Sequence, residues 1–320
     1  MAKKPSSSSK PLVIQTEHLD DEPAAWLSER CQLEICPAEN PKFPELLSKA
    51  QGLVIRTYTR ITPALLKNAP KLKVVGRAGV GLDNVDLPAC KAAGVRVVST
   101  PDANTRAVIE YVLALLLDAT RPRLFLSQVI EPERWKEVRS ELRASRQLCE
   151  MTLGILGFGR IGSSLAAVAE KLHMRVIYHD LLEIPAKQRS GATPVSRDEL
   201  LSTCDVLSIH VDGRPENRKL LTARDFALLK DNPIIINTSR GFVIDNHALA
   251  DFMIAHPGAL AMLDVHEPEP FDATYPLLDI PNVHLSPHIA SSTDLAQKNM
   301  SWVVKDVWRV LEGQEPNFPA

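Results

Sequence analysis

The chain has 320 residues, long enough for two domains, and its 45% hydrophobic and 24% charged residues are the proportions of a soluble globular protein with a full core. A net charge of −2 excludes a global basic field for nucleic acid or an anionic membrane, so any anion site must be a local cluster. Five scattered cysteines (Cys31, Cys36, Cys90, Cys149 and Cys204), with no C-x-x-C, argue against a disulfide framework or a zinc site and for a reducing, cytoplasmic setting.

The first ten residues, MAKKPSSSSK, lack an apolar stretch after their basic start, so they read as a disordered tail, with an organelle transit peptide as the alternative. Candidate strands follow at PLVIQT, CQLEIC, GLVIR, LKVVG and VRVVS, separated by helix-like PALLKNA and DLPACKAAG. That alternation predicts a parallel sheet covered on both faces. A long helix, NTRAVIEYVLALLLDATR, comes next and is ended by Pro122. Its apolar run is broken by Asp118 and is too short to span a membrane. EPERWKEVRSELRASRQLCE reads as a charged, partly helical excursion. A second series of six strands runs through TLGILG, MRVIYHD, DVLSIHV, PIIINTS, ALAMLDV and NVHLSP, the number in a dinucleotide-binding sheet. SSTDLAQKNMSWVVKDVWRVLEG reads as one closing helix, capped by Ser292 or Thr293 and ended by Gly313.

The segment from Thr152, TLGILGFGRIGSS, is an apolar strand, a glycine turn and a helix start. Gly157 allows the tight turn, Gly159 lets a pyrophosphate approach the backbone, and Gly162 lets the helix pack on the strand. A bare glycine match is weak; the strand before it, the helix after it and Asp180, eighteen residues past Gly162, strengthen it. Asp180 is placed to meet the adenosine ribose hydroxyls, and Leu181 and Leu182 beside it offer no cation to a 2′-phosphate, so NAD is expected rather than NADP. A nucleotide turn in the middle of a chain predicts an insertion: the chain starts one domain, crosses on the long helix, builds the nucleotide domain and returns. The alternative is two consecutive domains.

Three polar groups lie at predicted strand ends: Arg240 in NTSRG, a carboxylate from LDVHEPEP (Asp264, Glu267 or Glu269), and His288 in SPHIA. Singly, such residues are ordinary salt-bridge formers and structural loop histidines. Together, downstream of a dinucleotide turn, they suit one chemistry. An Arg grips a carboxylate, a His exchanges a proton, and an acid orients the His.

At these motifs the chain resembles the D-isomer-specific 2-hydroxyacid dehydrogenases, and among them most the phosphoglycerate dehydrogenases. The resemblance is carried by GRAGVGLDNVD, STPDANT, LGILGFGRIG, NTSRGFVID, LDVHEPEP and SPHIASST, in order, from about residue 50 to about 315. It implies an α/β protein of two doubly wound parallel-sheet domains. A Rossmann NAD domain (103–289) would be inserted into a discontinuous flavodoxin-like substrate domain (11–102 and 290–320). It implies Arg240 as the substrate-binding arginine, His288 as the acid–base and Glu269 as its partner, with Glu267 at the wrong offset and only a minor alternative. It also implies Asp264 at the nicotinamide carboxamide, Arg160 and Ile161 at the pyrophosphate, and Val80, His210, Val211 and Thr238 lining the cofactor. Arg56, Arg60 and Arg77, with the backbone of Gly79, Val80 and Gly81, are implied at the acid substrate, where the arginines suit a phosphorylated acid.

The implied reaction is NAD-dependent oxidation of a D-2-hydroxy acid, foremost D-3-phosphoglycerate to 3-phosphohydroxypyruvate as in serine biosynthesis. Reduction of glyoxylate or hydroxypyruvate, or oxidation of glycerate, is the alternative. A homodimer using the 107–149 excursion, and no nucleic acid, membrane or metal partner, are expected. The other-class alternatives are a non-catalytic NAD sensor like the corepressors of this fold and a degenerate homologue that binds NAD without turnover. The chain departs from the family pattern at Asp212–Gly213, where a proline turn is usual, at QLCEMTLG, which replaces a Gly-Lys turn, and at Ile109, where alanine is common. No C-terminal regulatory domain is expected, so neither is feedback control of the long-form type.

Overall fold

Strand and helix alternate through two compact units in the computed structural model, which describes residues 10–320. The tail reading, Lys10 apart, falls outside those residues. One unit runs to Asn104 and resumes over Ser292–Ala320; the other is Thr105–Ser291.

The first unit contains β1 (Leu12–Gln15), α1 (Asp21–Ser28), β2 (Gln32–Ile35), α2 (Phe43–Leu47), β3 (Gly52–Ile55), α3 (Pro63–Lys67), β4 (Val74–Arg77), α4 (Leu87–Ala92) and β5 (Arg96–Val98). The second contains α5 (Thr105–Thr120), α6 (Pro132–Glu141), β6 (Thr152–Leu156), α7 (Arg160–Lys171), β7 (Arg175–His179), β8 (Thr193–Pro194), α8 (Arg197–Thr203), β9 (Val206–Ile209), α9 (Ala223–Phe226), β10 (Ile234–Asn237), α10 (Asn246–Ala255), β11 (Leu260–Leu263) and β12 (Val283–Leu285). The chain returns to the first unit with α11 (Asp294–Ser301) and α12 (Val304–Leu311).

In the first unit a parallel sheet has the order β2-β1-β3-β4-β5. Proline opens α3 and α4 in their first turns, and Thr62 and Asp86 cap them by accepting from Leu65 and Ala89 N–H. The return helix α12 packs its Val304 and Val307 on Val13, Val54, Val74 and Val98. Gly76 in β4 makes that approach possible, since a Cβ there would come within 2.4 Å of Val307. Each such buried aliphatic side chain contributes about 1.5–3 kcal/mol.

The second sheet is also parallel, with order β12-β11-β10-β9-β6-β7-β8. Its strands β6, β9 and β10 are buried along their whole length, as their unbroken apolar runs predict for strands covered on both faces. One core packs Ile177, Leu207, Ile209, Ile235 and Leu263 with α8 and α10; another packs Leu153, Ile155 and Ile236 with α5 and α7. Ile109 belongs to the second core, 8% exposed, so the departure from alanine is filled by packing. The doubly wound α/β class expected from the sequence is the fold found.

Two elements differ from the sequence reading. The second sheet has a seventh strand, β8, only two residues long and containing Pro194. An edge strand that short has no periodicity to read. The closing helix is two helices: around Trp302 the backbone tightens to i→i−3 bonds, Val303 N to Met300 O and Lys305 N to Trp302 O. Ser301, just before the break, accepts from Asp20 N–H, so the bend follows tertiary anchoring rather than propensity. Of the two possible caps, Thr293 accepts from Ala296 N–H. No helix among the described residues is long and apolar enough to cross a membrane.

Candidate active site

The C-terminal ends of the second unit's strands carry the polar groups. His288 follows β12 in the loop 286–290, with φ 55°, a left-handed conformation unusual for a non-glycine residue and common at strained functional positions. Its Nδ1 lies 2.8 Å from Glu269 Oε2. Burial alone would raise the Glu269 pKa. The hydrogen bond from His288, the N–H of His266 and the charge of both histidines outweigh it and hold the carboxyl below the usual range. An ionised carboxylate only accepts, so the proton between them sits on Nδ1, leaving Nε2 as the working nitrogen. Glu269 Oε1 accepts from His266 N–H at 2.6 Å.

Glu267 is directed elsewhere, to Arg218 Nη1 at 2.8 Å, so of the two glutamates only Glu269 reaches His288. Asp264 is fully buried and accepts from Ser286 Oγ (2.7 Å), Ile289 N (2.9 Å) and Ala290 N (2.8 Å). It therefore fixes the loop that presents His288, a duty the sequence did not disclose. His266 was also missed. It is buried between Tyr275 Oη (3.3 Å) and Ser286 O (2.8 Å), joining the glutamate loop to the histidine loop.

Arg240 follows β10. Its Nη1 donates to Ser239 O, and Asn237 Nδ2 donates to Arg240 O at 3.0 Å, fixing the turn. Gly241 permits this turn to lie against the next loop, because a Cβ there would sit 2.0 Å from the His266 carbonyl carbon. Ser239 Oγ donates to Val211 O at 2.6 Å, tying the arginine loop to the loop after β9.

The glycine turn lies at β6/β9, where the strand order reverses. Gly157 has φ 92°, and a Cβ on it would meet the His210 carbonyl at 2.7 Å. A Cβ on Gly162 would meet Gly157 O at 2.2 Å, whereas one on Gly159 would meet nothing within 4 Å. No side chain caps the N-terminus of α7, which begins at Arg160 and Ile161, and an uncapped helix start suits an anion. Asp180 Oδ2 accepts from Phe158 N–H at 2.6 Å and Oδ1 from Leu182 N–H at 2.8 Å, coupling the acid expected at the ribose to the turn. Thr238 Oγ1 and His210 Nδ1 are buried without a hydrogen-bond partner. An open glycine cradle, an uncapped helix and two orphaned polar atoms fit a dinucleotide.

Beside Asp180 lies a cavity of about 350 Å³ lined also by Leu181, Leu182 and Arg189. Arg189, absent from the sequence reading, is nine residues past Asp180 and reaches the cavity with its Nε bonded to Ile184 O at 2.8 Å. Asp212, the departure from the proline pattern, is not a bare acid: Arg214 holds it through Nε at 2.7 Å and Nη2, and Asn217 Nδ2 donates to it at 3.0 Å.

The remaining predicted residues belong to the first unit. Arg56 follows β3, Arg60 is exposed four residues on, and Arg77 ends β4. Gly79 has φ 155°, and a Cβ on it would collide with the Arg77 guanidinium, so the arginine packs on the turn that continues into Val80 and Gly81. No cluster of metal-ligating side chains occurs among the described residues.

Residues 113–290 match the family model "D-isomer specific 2-hydroxyacid dehydrogenase, NAD binding domain". The chain is 34% identical over 272 residues to a D-3-phosphoglycerate dehydrogenase of Archaeoglobus fulgidus, covering 83% of this chain but only 50% of that relative. It is 33% identical over 306 residues to a glyoxylate reductase of Aeropyrum pernix, covering 93% of this chain and 91% of that one. Among solved structures, a D-lactate dehydrogenase from Aquifex aeolicus complexed with NAD and lactic acid superposes with a TM-score of 0.80 at 26% identity, covering 94% of this chain and 96% of that one.

Proposed function

The chain belongs to the D-isomer-specific 2-hydroxyacid dehydrogenase family, and from that premise we propose that it interconverts a D-2-hydroxy acid and its 2-keto acid with NAD. The observation that carries this reading is the 2.8 Å pair of His288 and Glu269, which leaves Nε2 of the imidazole for the substrate oxygen. The glycine turn 157–162, Asp180 and the loop residues His210, Val211 and Thr238 would hold the dinucleotide, which when bound would supply the hydride acceptor for substrate C2. In the oxidation direction His288 Nε2 removes the hydroxyl proton as the C2–O bond becomes a carbonyl. The ionised Glu269 stabilises the imidazolium that results. Arg240 binds the substrate carboxylate in its fork and polarises the neighbouring oxygen.

For the acid itself we propose D-3-phosphoglycerate, supported by Arg56, Arg60 and Arg77 in the first unit and by the Archaeoglobus relative. The second reading, glyoxylate or hydroxypyruvate reduction, is favoured by coverage: the chain spans half of that phosphoglycerate dehydrogenase and 91% of the glyoxylate reductase. NADH formation with D-3-phosphoglycerate, D-glycerate and D-lactate, run beside NADH consumption with glyoxylate and hydroxypyruvate, separates the two. Preference for the phosphorylated acid, lost in Arg56→Ala, supports the first; turnover of small unphosphorylated acids alone supports the second. NADH binding without any turnover overturns the catalytic reading.

We also propose a homodimer built on the excursion after α5. There Leu124, Phe125, Leu126, Val129 and Trp135 are exposed, and no residue of α6 is buried. Light scattering of the purified protein should give twice the 35.3 kDa chain mass. A monomer that Phe125→Asp leaves unchanged would reject this interface.

A further inference from the structure

At the C-terminal ends of β1 and β3 the chain supplies a carboxylate to its own backbone. Glu17 Oε1 accepts the N–H groups of Arg56 and Thr59, both at 3.0 Å, and Oε2 accepts those of Thr57 at 2.8 Å and Tyr58 at 3.1 Å. Four successive N–H groups turned on one anion form a nest, a concavity that commonly binds phosphate or carboxylate. Its position is the reversal point of the β2-β1-β3-β4-β5 order, where a doubly wound sheet receives its ligand. The segment is pinned from other sides as well. Thr16 Oγ1 lies 2.7 Å from Thr59 Oγ1, and Asn84 Nδ2 donates to the carbonyls of Arg56 (2.9 Å) and Thr59 (2.7 Å).

The Arg56 side chain leaves this nest held by neutral acceptors. Nη1 donates to His18 O at 3.3 Å, and Nη2 donates to Gln297 Oε1 on α11. Glu17 spends its hydrogen bonds on backbone N–H groups rather than on the guanidinium. The two acceptors steady the guanidinium without neutralising its charge.

We propose that Glu17 is a positioning residue for substrate recognition: it fixes the backbone of 56–59 so that Arg56, steadied by Gln297, presents its charge to an anionic substrate. The role rests on the reading above, that the substrate is an anionic 2-hydroxy acid. Glu17→Ala empties the nest, and Glu17→Gln turns an NH₂ against two of the four N–H donors.

The test is steady-state kinetics of both variants with the acid that the wild type turns over, with NADH titration and amide hydrogen exchange alongside. Expected is a KM for the acid raised about tenfold or more, with kcat changed less than about twofold. NADH affinity should be unchanged, and exchange at Thr57, Tyr58 and Thr59 faster in both variants. Formate should restore KM and amide protection in Glu17→Ala by refilling the nest, and should not improve the wild type. An unchanged KM, a loss confined to kcat, or a raised KM that formate does not reverse overturns the role. Those outcomes presuppose an active wild type; a wild type inert toward every acid is instead the failure of the proposed reaction, and this role falls with it.

Discussion

At His288 the geometry assigns each nitrogen one task, and substitution separates them. Nδ1 is committed to Glu269 at 2.8 Å, so Nε2 alone can take a proton. His288→Asn should lower kcat by about 10²–10⁴-fold while NADH affinity holds, because the general base is lost and the dinucleotide cradle is not. Glu269→Gln should cost less, about ten- to a hundredfold, since an amide can still orient the ring but cannot stabilise its charge. Equal NADH titrations with unequal kcat values would bear this out; a Glu269→Gln enzyme as fast as wild type would reject the pairing. Asp180 invites a second substitution. With the proposed dinucleotide in place its carboxylate would repel a 2′-phosphate, and Arg189 lines the same cavity. Asp180→Ser should therefore tighten NADPH binding by about tenfold or more, and Asp180→Ser with Arg189→Ala should lose most of that gain. NADPH affinity that ignores Arg189 would exclude it from the subsite. Asp180 was readable from its spacing after the glycines. Arg189 was not, because only the turn through 184–189 brings it back.

The strand–turn–helix unit β6–α7 shows what the three glycines do separately. Gly162 lets the helix touch the turn, Gly157 supplies a positive φ, and Gly159 faces no protein atom that a methyl would strike. Gly159→Ala should fold with an unchanged melting temperature and lose NADH affinity. Gly162→Ala should destabilise the second unit by about 1–3 kcal/mol, the usual cost of overpacking. Thermal melts and NADH titrations of the two variants check both halves; a Gly159→Ala protein that melts early would mean the space is needed by the fold. The same element explains what sequence could disclose. Strands such as Ile234–Asn237 announce themselves because burial on both faces demands an unbroken apolar run. The two-residue β8 and the bend at Trp302 are imposed by neighbours, so no local pattern marks them. Glu17 was silent for a similar reason: its four partners lie about forty residues away in sequence and are backbone groups, which leave no residue signature.

The molecule repeats one design in two units and finishes the repeats differently. Each is a parallel doubly wound sheet with a reversal point, at β1/β3 in the first and β6/β9 in the second. In the first that point is filled by Glu17; in the second a Cβ at Gly159 would meet nothing, and His210 lies against Gly157. The second unit bears a cost that pH should expose. Burial pushes the His210 imidazole down to about 4. Between its ordinary value near 6.5 and 4 the unfolded chain takes up a proton that the folded one refuses, so stability falls with pH across that window. The loss approaches about 3 kcal/mol at most and is complete below 4. Asp205 acts lower down. Burial alone would raise its pKa, but Arg146, the Thr152 N–H and Lys230 outweigh it and hold the carboxyl at about 2, below its ordinary 3.8. Its stabilisation is present above 3.8 and drains as pH falls toward 2. The second unit should therefore lose stability in two stages on acidification, and His210→Asn should flatten the first while leaving the second. Urea midpoints measured across the acid range for wild type and variant decide it. Parallel curves between pH 6.5 and 4 would show that the loss there comes from other groups than this imidazole.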